Sequence, residues 1–174
     1  MPLTDNYAID QAQVVNLLSN VFDGTFNKWD KTIAILRSRE SKRTLPHLED
    51  LLNGPDPDLR CNAAEALIAL DPSSAVPKVL HLLRDEVTYV RFNLCIMLCD
   101  YPDSRAVESL IETLLHDPDS NTRYHAAVAL GKIRDKRAVE ALQWAEANDS
   151  GKDYEDDPVS RAARRALGKI LDQE

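Results

Sequence analysis

At 174 residues the chain is long enough to bury the core of one domain. With 6% aromatic residues and only 5 glycines it is poor material for a β-sandwich and good material for Ala- and Leu-rich helices. A formal net charge of −8 works against bulk binding to nucleic acid, whose phosphates that average field repels.

The first residues, MPLTDNYAID, lack the apolar stretch of a secretory signal, and no apolar run approaches the roughly 20 residues of a membrane span. Cys61, Cys95 and Cys99 form an odd set without framework spacing, which fits a reducing compartment. The expected setting is the cytoplasm, with no membrane and no nucleic acid as partner. Residues 8–22 then place Val14, Leu17, Leu18, Val21 and Phe22 near one face of a helix that Asp23 and Gly24 end. Trp29, Ile33 and Leu36 step by four and three along a second amphipathic helix. Neither copies the pattern that follows, so residues 1–42 read as a degenerate first unit and cap; the alternative is a specialised docking segment.

From residue 43 the chain repeats itself. Segments 59–67, 90–98, 122–130 and 159–167 align on an anchor leucine, and Leu67, Leu98, Leu130 and Leu167 are 31, 32 and 37 residues apart. Each is a first helix rich in small residues. A second helix partners it, with segments 44–49, 75–80, 106–111 and 138–143 in one frame. Pro46 and Pro77 read there as first-turn prolines, whose missing N–H has no partner to lose. A two-helix unit cannot bury its apolar face alone, so the units stack. The fold class is all-α, a right-handed α-solenoid of helix pairs forming one domain over 1–174, with repeats over 43–147, an acidic insertion at 148–158 and a capping helix at 159–172.

Within this frame Arg123 to Leu142 closely match the pattern V-R-x-x-A-A-x-A-L-G-x-I/L-x-D-x-R-A-V-x-x-L. On these residues, and over about residues 43–172, the chain resembles the HEAT-like repeats of the phycobilin lyase family. The resemblance implies a HEAT-like solenoid, and a function among chromophore lyases, phycobilisome-turnover adaptors or plain adaptors. It also implies a ladder in which Arg60, Arg91 and Arg123, with Asp85 and Asp117 each six residues before the next arginine, tie neighbouring units together; the competing reading of these arginines is an anion site.

Chemistry is sparse. Cys95 and Cys99 have the spacing of two ligands on one helix, but no matching pair lies nearby and Cys95 aligns with Ala64 and Ala127, which points to core packing. None of His47, His81, His116 and His125 is followed by glutamate, against a diiron hydroxylase. No phosphate loop, nucleophile elbow or C-x-x-C occurs. No catalytic or metal-binding residue is assigned, and no cofactor is expected unless a bilin is bound.

What remains is a surface. In HEAT arrays the second helices line the concave side. The outward row there holds Asp50, His81, Glu112 and Trp144; a parallel row holds His47, Lys78, Ser109 and Ala141, with His116 one turn further on. Trp144 is an apolar residue in a polar row, so it reads either as a partner anchor or as a cap over the last helix pair. The insertion carries Tyr154, either in a solvated loop beside the basic last helix or as the contact of a recognition loop. The leading function is a non-catalytic interaction scaffold whose partner is another protein. The family resemblance makes that partner a phycobiliprotein or a second HEAT-repeat subunit. The alternative is a phycobilin lyase or lyase subunit that attaches or detaches a linear tetrapyrrole.

Overall fold

The computed structural model describes residues 10–19, 28–38 and 41–172. Among these, ten α-helices run in order: α1 (Gln11–Ser19), α2 (Lys28–Ser38), α3 (Ser41–Leu51), α4 (Pro57–Leu70), α5 (Pro72–Val79), α6 (Thr88–Asp100), α7 (Val107–His116), α8 (Ser120–Ile133), α9 (Val139–Asn148) and α10 (Val159–Leu171). The described residues form no strand, and no helix among them is long and apolar enough to cross a membrane. The architecture is an all-α solenoid of helix pairs. It divides into two compact units, Met1–Ala75 and Val76–Glu174.

In the first unit α4 is the centre, packed on α1, α2 and α3. Asp56 caps α4 by accepting from the amides of Asp58 and Leu59, and Pro57 fills the first helical position, where no N–H is needed. Val14, Leu18, Ile33, Leu36 and Leu48 bury against Ala63, Ala64, Leu67 and Ile68. Val21, Phe22, Asp23 and Gly24 lie outside the described residues. Asn62 brings a polar side chain into this core and donates from Nδ2 to the Leu18 carbonyl at 3.2 Å, which answers a C=O at the end of α1.

One expectation is corrected here. Pro46 and Pro77 are not first-turn residues: α3 begins at Ser41 and α5 at Pro72, so each proline is the sixth residue of its helix. Both helices start earlier than the repeat frame shows. In α5 the start is fixed by Asp71, whose carboxylate accepts from the Ser74 amide. An interior proline removes one i→i−4 bond. The last turn of α5 then tightens into a 3-10 turn over Leu80–Arg84, which buries Leu82 and Leu83 beside Val76 and Val79 and leaves Leu80 half-buried.

In the second unit α6, α8 and α10 form one layer, and the 3-10 turn, α7 and α9 the other. Small residues fill the first layer: Ala126, Ala127 and Ala129 of α8 and Ala162, Ala163 and Ala166 of α10 are buried. Each turn before a second helix carries the same device. Asp103 accepts from the Arg105 amide and Asp135 from the Arg137 amide, both at 2.9 Å, while each arginine side chain folds back on its aspartate.

The arginine ladder binds successive pairs. Arg91 on α6 grips Asp117 with two bonds, Nε to Oδ2 at 2.7 Å and Nη2 to Oδ1 at 3.1 Å, and sends Nη1 to the Asp85 carbonyl at 2.9 Å. Arg123 on α8 does the same one unit later, to Asp149 at 2.7 and 3.0 Å and to the Asp117 carbonyl at 2.9 Å. Each guanidinium therefore reads its own turn through backbone and the next unit through a carboxylate. The six-residue spacing visible in the sequence marks the carbonyl partner; the carboxylate partner lies 26 residues onward. Asp149 was hidden because the insertion puts Glu155, not an arginine, six residues after it.

Candidate functional site

Between α7 and α9 lies an open groove of about 590 Å³. Its floor is apolar: Ala141 is 8% exposed, and Ile111 and Leu115 are half-buried. Trp144 forms one wall and is 50% exposed, an uncommon state for so large an apolar residue in a monomer surface. The rim is charged. Arg137 crosses it, donating from Nη1 to Glu108 Oε1 at 3.1 Å and from Nη2 to the Ser104 carbonyl at 2.8 Å, while its other bonds hold Asp135. Asp135 is held below the ordinary carboxylate range by those bonds to Arg137. Glu140 sits one turn before Trp144 on α9 and has no hydrogen-bond or ion-pair partner among the described residues.

His116, at the end of α7, lines this groove and also a second depression of about 330 Å³ reaching Leu83, Arg84 and Glu112. His116 Nε2 stands 4.0 Å from Glu112 Oε2, with both side chains well exposed. His116 is the one residue that lines both depressions.

The sequence-selected residues fall into separate places. His116 and Trp144 share the α7–α9 groove, and Glu112 lines the second depression with His116. Lys78, near the end of α5, and His81, in the following 3-10 turn, are exposed, with His81 Nδ1 donating to the Lys78 carbonyl at 2.8 Å. His47, half-buried, and Asp50, exposed, belong to α3 in the first unit. The parallel row is not a continuous outward surface, because Ser109 is half-buried and Ala141 is groove floor. Tyr154 lies with the other layer.

That layer carries a second feature. The insertion folds as a short strap. Asp153 Oδ1 accepts from the amides of Glu155 and Asp157, Asp156 takes φ 64°, and the Val159 amide donates to the Gly151 carbonyl. Gly151 is required here, since a Cβ would fall 2.7 Å from Ser120 Cβ and against Arg123. Tyr154 is 76% exposed but sets its edge against Phe92, which stacks edge-on with His125 in turn. Asp157 fastens the strap to the scaffold, accepting from the Tyr124 hydroxyl at 3.0 Å and pairing with Arg161 and Arg165 at 2.8 Å. Burial pushes the His125 pKa down, with Asp153 opposing.

Asp157→Ala is expected to loosen this strap without unfolding the array. Amide exchange at Asp153 and Val159 should rise about tenfold or more while the main unfolding transition stays within a few degrees. Unchanged protection at both amides would show that the carboxylate does not hold the loop.

Cys95 is buried and Cys99 half-buried; burial raises both thiols, Cys99 to about 12, and Cys99 Sγ faces the His125 carbonyl at 3.7 Å. Neither is a ready nucleophile. No group of three or more metal-ligating side chains occurs among the described residues.

Sequence reasoning missed most of the groove. Ile111 and Leu115 were given no place in the surface rows, and the charged rim went unremarked. A signal was present: Asp-x-Arg-Ala-Val-Glu stands at 103–108 and again at 135–140, and it delivers Glu108, Arg137 and Glu140 to one side of the second-helix layer.

Residues 30–94, 45–112 and 76–168 match the family model for HEAT repeats. A crystal structure of an engineered protein is similar at 22% identity with a TM-score of 0.56, over 92% of this chain and 80% of that one, a likeness of fold. No curated protein matches the sequence.

Proposed function

The chain belongs to the HEAT-repeat family, whose stacked helix pairs generally mediate protein interactions, and from that premise we propose that it is a non-catalytic cytoplasmic adaptor that binds another protein along its second-helix layer. The observation that carries this reading is Trp144, half exposed on the wall of an apolar-floored groove with a charged rim. Exposed tryptophans in such settings are favoured binding anchors, because a large rigid ring loses water at little cost in side-chain entropy. The resemblance of 123–142 to phycobilin lyase repeats makes an apo-phycobiliprotein the first partner to try.

Trp144→Ala is expected to weaken partner binding about 30-fold or more, the loss of a hot-spot side chain. The melting temperature should move by only a few degrees, since the ring is half in water already. Calorimetric titration with an apo-phycobiliprotein subunit, with and without its bilin, measures the first; a thermal melt measures the second. A fall of more than about 8 °C with binding intact would make Trp144 a cap instead.

The same sequence resemblance supports a second reading, a phycobilin lyase or lyase subunit. That reading expects a shifted bilin absorbance that stays covalently with the phycobiliprotein after denaturation. Binding without chromophore transfer, alone or with a partner subunit, leaves the adaptor.

A further inference from the structure

The α7–α9 groove has a charge pattern that selects among partners. Arg137 is the groove's one arginine, and it is spent: its donors go to Asp135, Glu108 and the Ser104 carbonyl. Against it stand Glu108 and Glu140 in the lining, with Asp135 beside it held by Arg137, and Glu140 has no partner among the described residues. The groove therefore keeps an excess of negative charge around an apolar floor. Glu140 and Trp144 are four residues apart on α9, so they share one face of the helix one turn apart. A ring face beside an unpaired carboxylate is a site for a cation, which gains from the ring quadrupole and from the charge together. The overall charge of −8 adds long-range attraction of the same sign.

The geometry points to a specific class of occupant: a cationic amphipathic segment of a partner protein that lays an aliphatic side chain on Ile111, Leu115 and Ala141 and a lysine or arginine between Trp144 and Glu140. This rests on the adaptor reading and deepens it, since it names the partner's chemistry. An acidic segment meets Glu108 and Glu140 and is repelled.

The test uses the full chain, ¹⁵N-labelled, with its two tryptophan indole N–H signals separated by comparison with Trp144→Phe. Two probes of about 18 residues carry leucine at helical spacing, one with lysine and one with glutamate at the remaining positions. The leucine–lysine peptide is expected to shift the Trp144 signal and to bind about tenfold or more tightly than the leucine–glutamate peptide at low salt. Glu140→Gln should weaken it about fivefold, and Trp144→Phe less than Trp144→Ala. Equal binding of both peptides at Trp144 would overturn the cationic preference and leave the groove as an interaction surface. No shift of Trp144 by either peptide overturns the preference and also removes this groove from the adaptor reading. Binding of the lysine peptide that Glu140→Gln and Trp144→Ala leave unchanged places the contact elsewhere, on the acidic strap, and overturns the inference.

Discussion

Arg91→Ala is expected to cost about 3 kcal/mol of stability, the low end of the range for stripping one partner from a buried ion pair. Arg91 is 7% exposed and Asp117 9%, so the variant leaves a carboxylate facing a cavity in place of two charge-assisted bonds. It also removes the Nη1 bond to the Asp85 carbonyl. Asp117 still accepts from the Asp119 amide, which limits the loss. At roughly 2–4 °C per kcal/mol for a chain this long, the unfolding midpoint should fall by about 6–12 °C. Arg91→Ala, Asp117→Ala and the double variant form a cycle, and the expected coupling is about 1–3 kcal/mol. Strict additivity in urea unfolding would mean the pair is decorative. The next rung gives the ladder an acid limit. Burial raises the Asp149 carboxyl, but the bond from Arg123 and the Gly151 amide outweigh it and hold the pKa below the ordinary value. A depressed carboxyl contributes stability that is full above its unfolded pKa, about 3.9, and is lost as pH falls through the lower folded value. Arg123→Gln removes a main cause of that depression, so its stability should be less dependent on pH below 4 than that of the unaltered chain.

The ladder also shows how far sequence carried the fold. Anchor leucines and recurring arginines are a one-dimensional signal of a stacked array, because each unit must present the same small-residue face to the same neighbour. The fold and the recurring arginines were legible on that ground, but the six-residue spacing marked the carbonyl partners and not the Arg91–Asp117 pair. Asp149 was not, since the insertion broke the register that would have marked it. Prolines 46 and 77 were misplaced because α3 and α5 start before the repeat frame, α5 on its Asp71 cap. The site was less legible than the scaffold. Trp144 stood out as an apolar residue in a polar row, but its groove is made by side chains from two helices, and no single-helix periodicity reports that Ile111 and Leu115 are only half covered. Tyr154 was read apart from that row, in the insertion, but its edge contact with Phe92 depends on how the strap folds, which no periodicity reports.

The same substitution at two helical glycines is expected to change stability in opposite directions. A Cβ on Gly131 would sit 2.8 Å from both Cα and Cβ of Ala166, closer than carbon atoms approach, and the obstacle is the backbone of α10, which cannot swing aside like a side chain. Gly131→Ala must therefore part α8 from α10, the most closely joined pair in the second unit. Overpacking of this kind costs about 1–3 kcal/mol, against a gain of up to about 1 kcal/mol from alanine's better helix propensity. A net loss of about 1–2 kcal/mol follows. On Gly168 the added Cβ meets only Asp172 Oδ2 at 3.8 Å, an ordinary contact. Nothing opposes the propensity gain there, and Gly168→Ala should stabilise by about 0.5–1 kcal/mol, in part by restricting the unfolded chain. Urea unfolding of both variants gives the signs directly. Stabilisation by Gly131→Ala would mean α8 and α10 do not cross at that point. The residue's role would then be helical tolerance, when the geometry makes it the smallest of the small residues on which the stacking of the last pair depends.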